Sequence, residues 1–164
     1  GLAVRQAMGA AQPRPYFSVL LAQVYGRAGK AQEALEVLSA ALEGAADLGE
    51  QWCEAEVYRL QGELLLQATG VERCAYQRPQ TVATVRHTER EAEMCFQKAL
   101  ALAQHQGAQG WALRATLSLS QLWARQGKQT EARQILGKMH STLPQEGMQT
   151  ADRQEASRLL AQWT

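Results

Sequence analysis

Charge of one sign is what this sequence most plainly lacks. Seventeen basic residues face sixteen acidic ones, a formal net charge of +1. Phosphate neutralisation supplies most of the affinity of nucleic-acid binders, so the basic excess that a dedicated one carries is missing. Cysteine is sparse: Cys53, Cys74 and Cys95 are three, an odd number, with no Cys-x-x-Cys pair. A disulfide-stapled secreted fold would pair its cysteines, so reduced thiols in a cytoplasmic protein are expected. Only four prolines interrupt the chain, and β-branched residues cluster in one short stretch, Thr81-Val82-Ala83-Thr84-Val85. No apolar run approaches the roughly 20 residues of a membrane span, and no signal-peptide pattern opens the chain. The first residue is Gly1 and not Met, which suggests an excerpt from a longer protein.

What is abundant is Ala, Leu, Gln, Glu and Arg, the residues that lose least on entering a helix. An all-α fold is expected, as a single domain over residues 1–164. Internal repetition organises it. Arg27-Ala-Gly-Lys-Ala-Gln-Glu-Ala34 and Arg125-Gln-Gly-Lys-Gln-Thr-Glu-Ala132 share five of eight residues, 98 positions apart. A third copy lies between them, split into Tyr58–Leu65 and Ala92–Ala99. Tyr25 to Leu65 and Ala92 to Ala132 are both 40 residues; Leu65 to Trp123 and Ala34 to Ala92 are both 58. The unit is therefore about 40 residues, with 18 inserted in the middle copy.

Each unit reads as two antiparallel helices. Ala92, Cys95, Phe96, Ala99, Leu100 and Ala103 form one apolar stripe at helical spacing. Thr88-x-x-Glu91 fits a capping box that would start that helix at 89. Gly29 and Gly127 fall where the chain reverses and a left-handed residue is needed. Small residues (Ala22, Gly62, Ser120; Ala34, Ala92, Ala132) recur where paired helices should approach most closely. The spacing predicts helices over 15–28, 31–44, 50–68, 89–105, 109–126 and 129–141. A capping helix should follow over 151–163, with Thr150 as N-cap. This makes helix pairs of 15–44, 50–105 with an insert near 69–88, and 109–141. Hairpins of this kind bury their faces jointly by stacking. Residues 2–9 are expected to end a further helix.

The pattern Leu21-Ala22-x-x-Tyr25-x-x-x-Gly29-x-x-x-x-Ala34-x-x-x-Leu38-x-x-Ala41, with Pro144 after the third unit, resembles the tetratricopeptide repeat signature. The segments Arg14–Phe17, Glu54–Leu65 and Leu113–Trp123 are similar to the C-terminal repeat region of large bacterial signalling ATPases. Such proteins often carry a nucleotide cyclase, a kinase or a LuxR-type DNA-binding domain upstream. The resemblance implies a right-handed α-solenoid and a regulatory scaffold whose catalytic domains lie elsewhere. The tail Gly147–Asp152 departs from the turn expected of that region. The resemblance also implies that the first helix of each pair lines a concave groove. The outward positions there are Tyr16, Gln23 and Arg27; Glu56, Arg59 and Glu63; Arg114, Gln121 and Arg125. Two readings of the arginines stay open. They hold carboxylates or phosphates of a partner, or they are solvated charges countering the nearby glutamates. The Lys/Asn clamp that some tetratricopeptide domains use for a C-terminal carboxylate is absent.

Signs of chemistry are few. Gly26-x-x-Gly29-Lys30 has the wrong spacing for a phosphate loop and no following Ser or Thr, and Leu122 spoils the same reading of Gly127-Lys128. His87, His105 and His140 stand apart from one another, as exposed loop or helix-end residues do. Glu54, Glu56 and Glu63 read as a solvated helix face and not as an acid/base pair. No catalytic residue, cofactor or metal site is expected. The insert 69–88 reads as a mobile loop, with a strand that pairs with a partner's edge as the sharper alternative.

Two functions compete. One is an interaction module whose groove holds a protein or peptide, another domain of the same chain included, with no nucleic-acid or membrane partner. The other is a small-ligand sensor whose insert closes a pocket. Homodimerisation through exposed terminal helix faces is a third possibility.

Overall fold

A computed structural model describes residues 15–48, 53–68, 82–143 and 150–163. Among these residues the protein is all-helical, with seven helices and no strand. They are α1 (Pro15–Arg27), α2 (Ala31–Leu48), α3 (Glu54–Ala68), α4 (Val82–His105), α5 (Gln109–Arg125), α6 (Gln129–Thr142) and α7 (Ala151–Gln162). The bounds of α1, α5, α6 and α7 lie within one residue of those expected. Two ends differ: α2 runs on to Leu48, and α3 begins at Glu54 where residue 50 was expected. The expectations for residues 2–9, for Cys74, for Pro144 and for the tail from Gly147 to Gln149 lie outside the described residues.

The largest departure is the start of α4. It begins at Val82, seven residues before the expected residue 89. Thr88 is no N-cap: its hydroxyl donates to the Thr84 carbonyl one turn back, at 3.2 Å. Residues 82–88 are thus neither a mobile loop nor a pairing strand, while 69–81 lie outside the described residues. Propagation explains the outcome. Each β-branched residue costs a helix only a few tenths of a kcal/mol, and the helix is already nucleated where Ala92, Phe96, Ala99 and Ala103 are buried.

The three reversals after α1, α4 and α5 are built alike. Gly29, Gly107 and Gly127 take φ of 76°, 67° and 80°. The next residue donates back five positions in each case: Lys30 to Tyr25, Ala108 to Ala103 and Lys128 to Trp123, each at 2.9 Å. This bond closes the helix end and satisfies an orphan carbonyl. Gly29 and Gly127 were legible as such; Gly107 is an addition.

Each helix packs on its successor, and α1, α3, α5 and α7 also pack on one another in succession. The positions equivalent by the 40-residue period are buried together. Ala34, Ala92, Ala132 and Ser120 are wholly inaccessible, and Ala22 nearly so. Gly62 lies so close to the Phe96 ring that a Cβ there would meet Cε1 at 2.5 Å. The core continues from one end of this arrangement to the other. Val19, Leu38, Leu60 and Leu64 form one part. Phe96, Leu119 and Leu122 form the next, and Leu113, Leu117, Leu136, Ala156 and Leu159 the last. On α1, Leu20 and Val24 remain exposed.

Candidate functional site

The alternate helices α1, α3, α5 and α7 share one cleft of about 550 Å³. Of the nine positions assigned to a groove from the sequence, seven line it: Gln23 and Arg27 from α1, Glu56, Arg59 and Glu63 from α3, Arg114 and Gln121 from α5. Arg125 and Gln121 face a smaller adjoining cleft of about 130 Å³. The Tyr16 side chain lies outside the described residues.

The arrangement of the charges differs from expectation. Glu56 was read as part of a solvated face, yet it is only 4% exposed. Its burial is tolerable because its carboxylate is fully engaged. Arg59 donates to it twice, from Nε and from Nη2, both at 2.8 Å. Arg59 also donates to Glu63 one turn on. Burial opposes the charge of Arg59 most strongly, but the Glu56 hydrogen bond and the charges of Glu63, Glu56 and Asp152 together raise its pKa above the usual arginine value. Arg114 extends the network, with Nη1 3.6 Å from Glu56 and Nε donating to Asp152 at 2.8 Å. Ser118 donates to Glu63 at 3.0 Å. The two central arginines counter nearby glutamates, as one of the two readings had it, but Arg59 does so buried and not solvated. They are structural members of a network that ties α3 to α5 and α7.

At the far wall, Arg158 donates to Glu155 at 2.6 Å. That hydrogen bond, opposed by burial and aided by the arginine's charge, holds the Glu155 carboxyl below its ordinary range. What the network leaves over is a set of amides. The side chains of Gln23, Gln67 and Gln121 line the cleft from three helices. None of them, nor Arg27, makes a side-chain hydrogen bond or ion pair among the described residues.

Sequence reasoning missed Gln67, Ser118, Asp152 and Glu155. The first two were findable: 56, 59, 63, 67 and 114, 118, 121, 125 continue a single helical face in steps of three and four. Asp152 and Glu155 join the site only because α7 folds back onto α5.

No family model matches this chain, and no curated protein matches it. The remaining candidate groups are scattered. His87 sits on α4, 3.6 Å from Glu91; His105 ends α4; His140 on α6 meets the Ser157 hydroxyl at 3.1 Å. Among the described residues no group of three His, Cys, Asp or Glu side chains is placed to hold a metal ion. Cys53 is buried and Cys95 half-buried, and neither forms a disulfide among the described residues. Burial first, then the charge of Glu91, pushes the Cys95 thiol up, with Lys98 opposing. No helix among the described residues is long and apolar enough to cross a membrane.

Proposed function

We propose that this chain is a tetratricopeptide-like interaction module that holds a segment of another protein, or of another domain of its own chain, in the α1/α3/α5/α7 cleft. In this reading α1/α2, α3/α4 and α5/α6 are antiparallel pairs stacked as a right-handed solenoid, and α7 caps the last pair. Contacts of descending against ascending number support the pairing, such as Tyr58 with Lys98 and Gly62 with Phe96. The like turns at Gly29 and Gly127 support the repeat. The observation that carries the functional part is the cleft itself, to which four alternate helices contribute a mainly polar lining with unused amides. Its lining favours a polar polymer over an enclosed apolar ligand, which would need a mostly apolar pocket. The module is non-catalytic and cytoplasmic, and serves as the regulatory part of a multidomain bacterial signalling protein; the likeness of residues 54–65 and 113–123 to that class is the ground for this.

The test is site-specific photo-cross-linking in cells. A benzophenone side chain replaces Gln121 in the cleft or, as control, the exposed Glu36 on α2. A discrete cross-link at position 121, to another protein or within the parent chain, and none at 36 is expected. No adduct, or the same adducts at both positions, would sink the proposal.

A further inference from the structure

Four carboxylates line the cleft, and three of them are held twice. Glu56 accepts two hydrogen bonds from Arg59. Glu63 accepts one from Arg59 and one from Ser118, and Glu155 accepts two from Arg158 on its own helix. Asp152 is the exception. Among the described residues its side chain accepts one hydrogen bond, from Arg114 Nε at 2.8 Å. This pair is open to solvent, its side chains 44% and 31% exposed, against 11% and 6% for Arg59 and Glu56. It also uses only part of the Arg114 fork, which suits two parallel N–H bonds to one carboxylate; Nη1 stands 3.6 Å from Glu56.

Asp152 lies in the first turn of α7. That helix has twelve residues, too few to stay helical alone. It buries only Ala156 and Leu159 completely, with Leu160 and Trp163 packed at the margin, and His140 meets its Ser157. With α7 docked, the charges balance: Arg27, Arg59, Arg114 and the Arg158 partner of Glu155 offset the four carboxylates. Undocking would remove Asp152, Glu155 and Arg158, and leave three arginines facing Glu56 and Glu63 alone.

We propose that Asp152 is an internal stand-in for a carboxylate of the bound segment: a ligand carboxylate replaces it on Arg114, and α7 then leaves α5 and α6. This rests on the interaction-module reading and adds to it a ligand group and a conformational switch. Asp152 is tethered, so a lone carboxylate such as acetate cannot compete with it. A segment that the amides of Gln23, Gln67 and Gln121 also hold can do so. Undocking bares Leu113, Leu117 and Leu136, which keeps α7 in place until the cleft fills. The two events are coupled, so whatever weakens α7 docking tightens ligand binding.

The test uses the whole chain and two pools of fluorescent, end-capped hexapeptides, with Glu or Gln at the third position and all others varied. Anisotropy reads binding, and hydrogen exchange followed by mass spectrometry reads α7. The Glu pool should bind about tenfold more tightly than the Gln pool, as one charge-assisted contact implies. It should speed exchange across 151–162 while α3 and α5 stay protected. Asp152→Asn should bind the Glu pool at least about fivefold more tightly than the parent does, and Arg114→Gln should bind the two pools alike. Glu-pool binding with α7 exchange unchanged overturns the inference, as does an Asp152→Asn variant that binds no better than the parent. If Gln121 cross-links as expected but neither pool binds, this inference fails while the interaction-module reading stands.

Discussion

Gly62 is the position at which the packing can be tested most sharply. It lies in the middle of α3, where Ala would ordinarily be preferred to Gly by about 1 kcal/mol. A Cβ built there would stand 2.5 Å from Phe96 Cε1 and 2.9 Å from both Cδ1 and Cζ. Carbon atoms prefer about 3.5–4.0 Å, so three ring atoms would overlap the new methyl, the nearest by about 1 Å. The ring cannot step aside cheaply. Phe96 is only 1% exposed and is wedged against Leu119 and Leu122, with Leu65, Leu66 and Trp123 around it. Overpacking of this kind costs about 1–3 kcal/mol. An overlap at three atoms belongs at the upper end, so Gly62→Ala should lose about 2 kcal/mol net after the propensity gain. For a chain of this length that lowers Tm by roughly 4–8 °C. Thermal and urea melts followed by circular dichroism measure it. Gly110→Ala is the control: it lies in α5 with nothing within 4 Å of its Cβ position, and it should melt at or slightly above the parent. Phe96→Leu placed on Gly62→Ala should restore part of the loss. If Gly62→Ala melts at or above the parent, the close approach of α3 and α4 is wrong.

Other outcomes follow from the same geometry. Arg59→Met strands the buried Glu56 carboxylate and should cost about 3 kcal/mol, whereas Arg59→Met/Glu56→Met should recover most of it; urea melts showing additive losses would refute the pairing. Cys95 has its thiol pKa raised, so it should react with maleimide more slowly than a free cysteine peptide at pH 8. Its rate should keep rising at pH values where the peptide has levelled off. The sign carries to stability: the raised pKa contributes fully below the ordinary thiol range, and that contribution is lost as pH rises through the folded value. Exposed Leu20 and Val24 give α1 an apolar stripe that should promote self-association at high concentration. Leu20→Gln/Val24→Glu should abolish any concentration dependence of the sedimentation coefficient, and an unaltered dependence would rule this stripe out.

The parts of the fold that could be read from the sequence are those that repeat. Ala34, Ala92 and Ala132 were identifiable as close-contact positions because equal intervals align them, and all three are fully buried. Gly29 and Gly127 were identifiable because only one backbone conformation closes such a turn. The start of α4 was not, because Thr88 and Glu91 imitate a cap and the β-branched run before them hides the helical period. A local stop signal yields when a well-packed helix can propagate through it. For the cleft, the resemblance pointed to the first helix of each pair, and helical spacing put 56, 59, 63 and 114, 121, 125 on one face of each. The state of the charges was illegible. Arg114 meets Asp152 across 38 residues, and no helical spacing reports a contact of that range. The burial of Glu56 depends on that same long-range network.

The network has a mechanical consequence. Helices that meet through alanines slide past one another at little cost, because one methyl resembles the next along the axis. A slip of one turn is about 5.4 Å, far more than the chain Glu63–Arg59–Glu56–Arg114–Asp152 can stretch and stay bonded. It therefore acts as a key across α3, α5 and α7 and admits one axial alignment. Gln67 on α3 and Gln121 on α5 keep their spacing because the carboxylates hold these helices in step. Force applied to α7 should reach the cleft as a stepwise loss of alignment and not as a gradual widening.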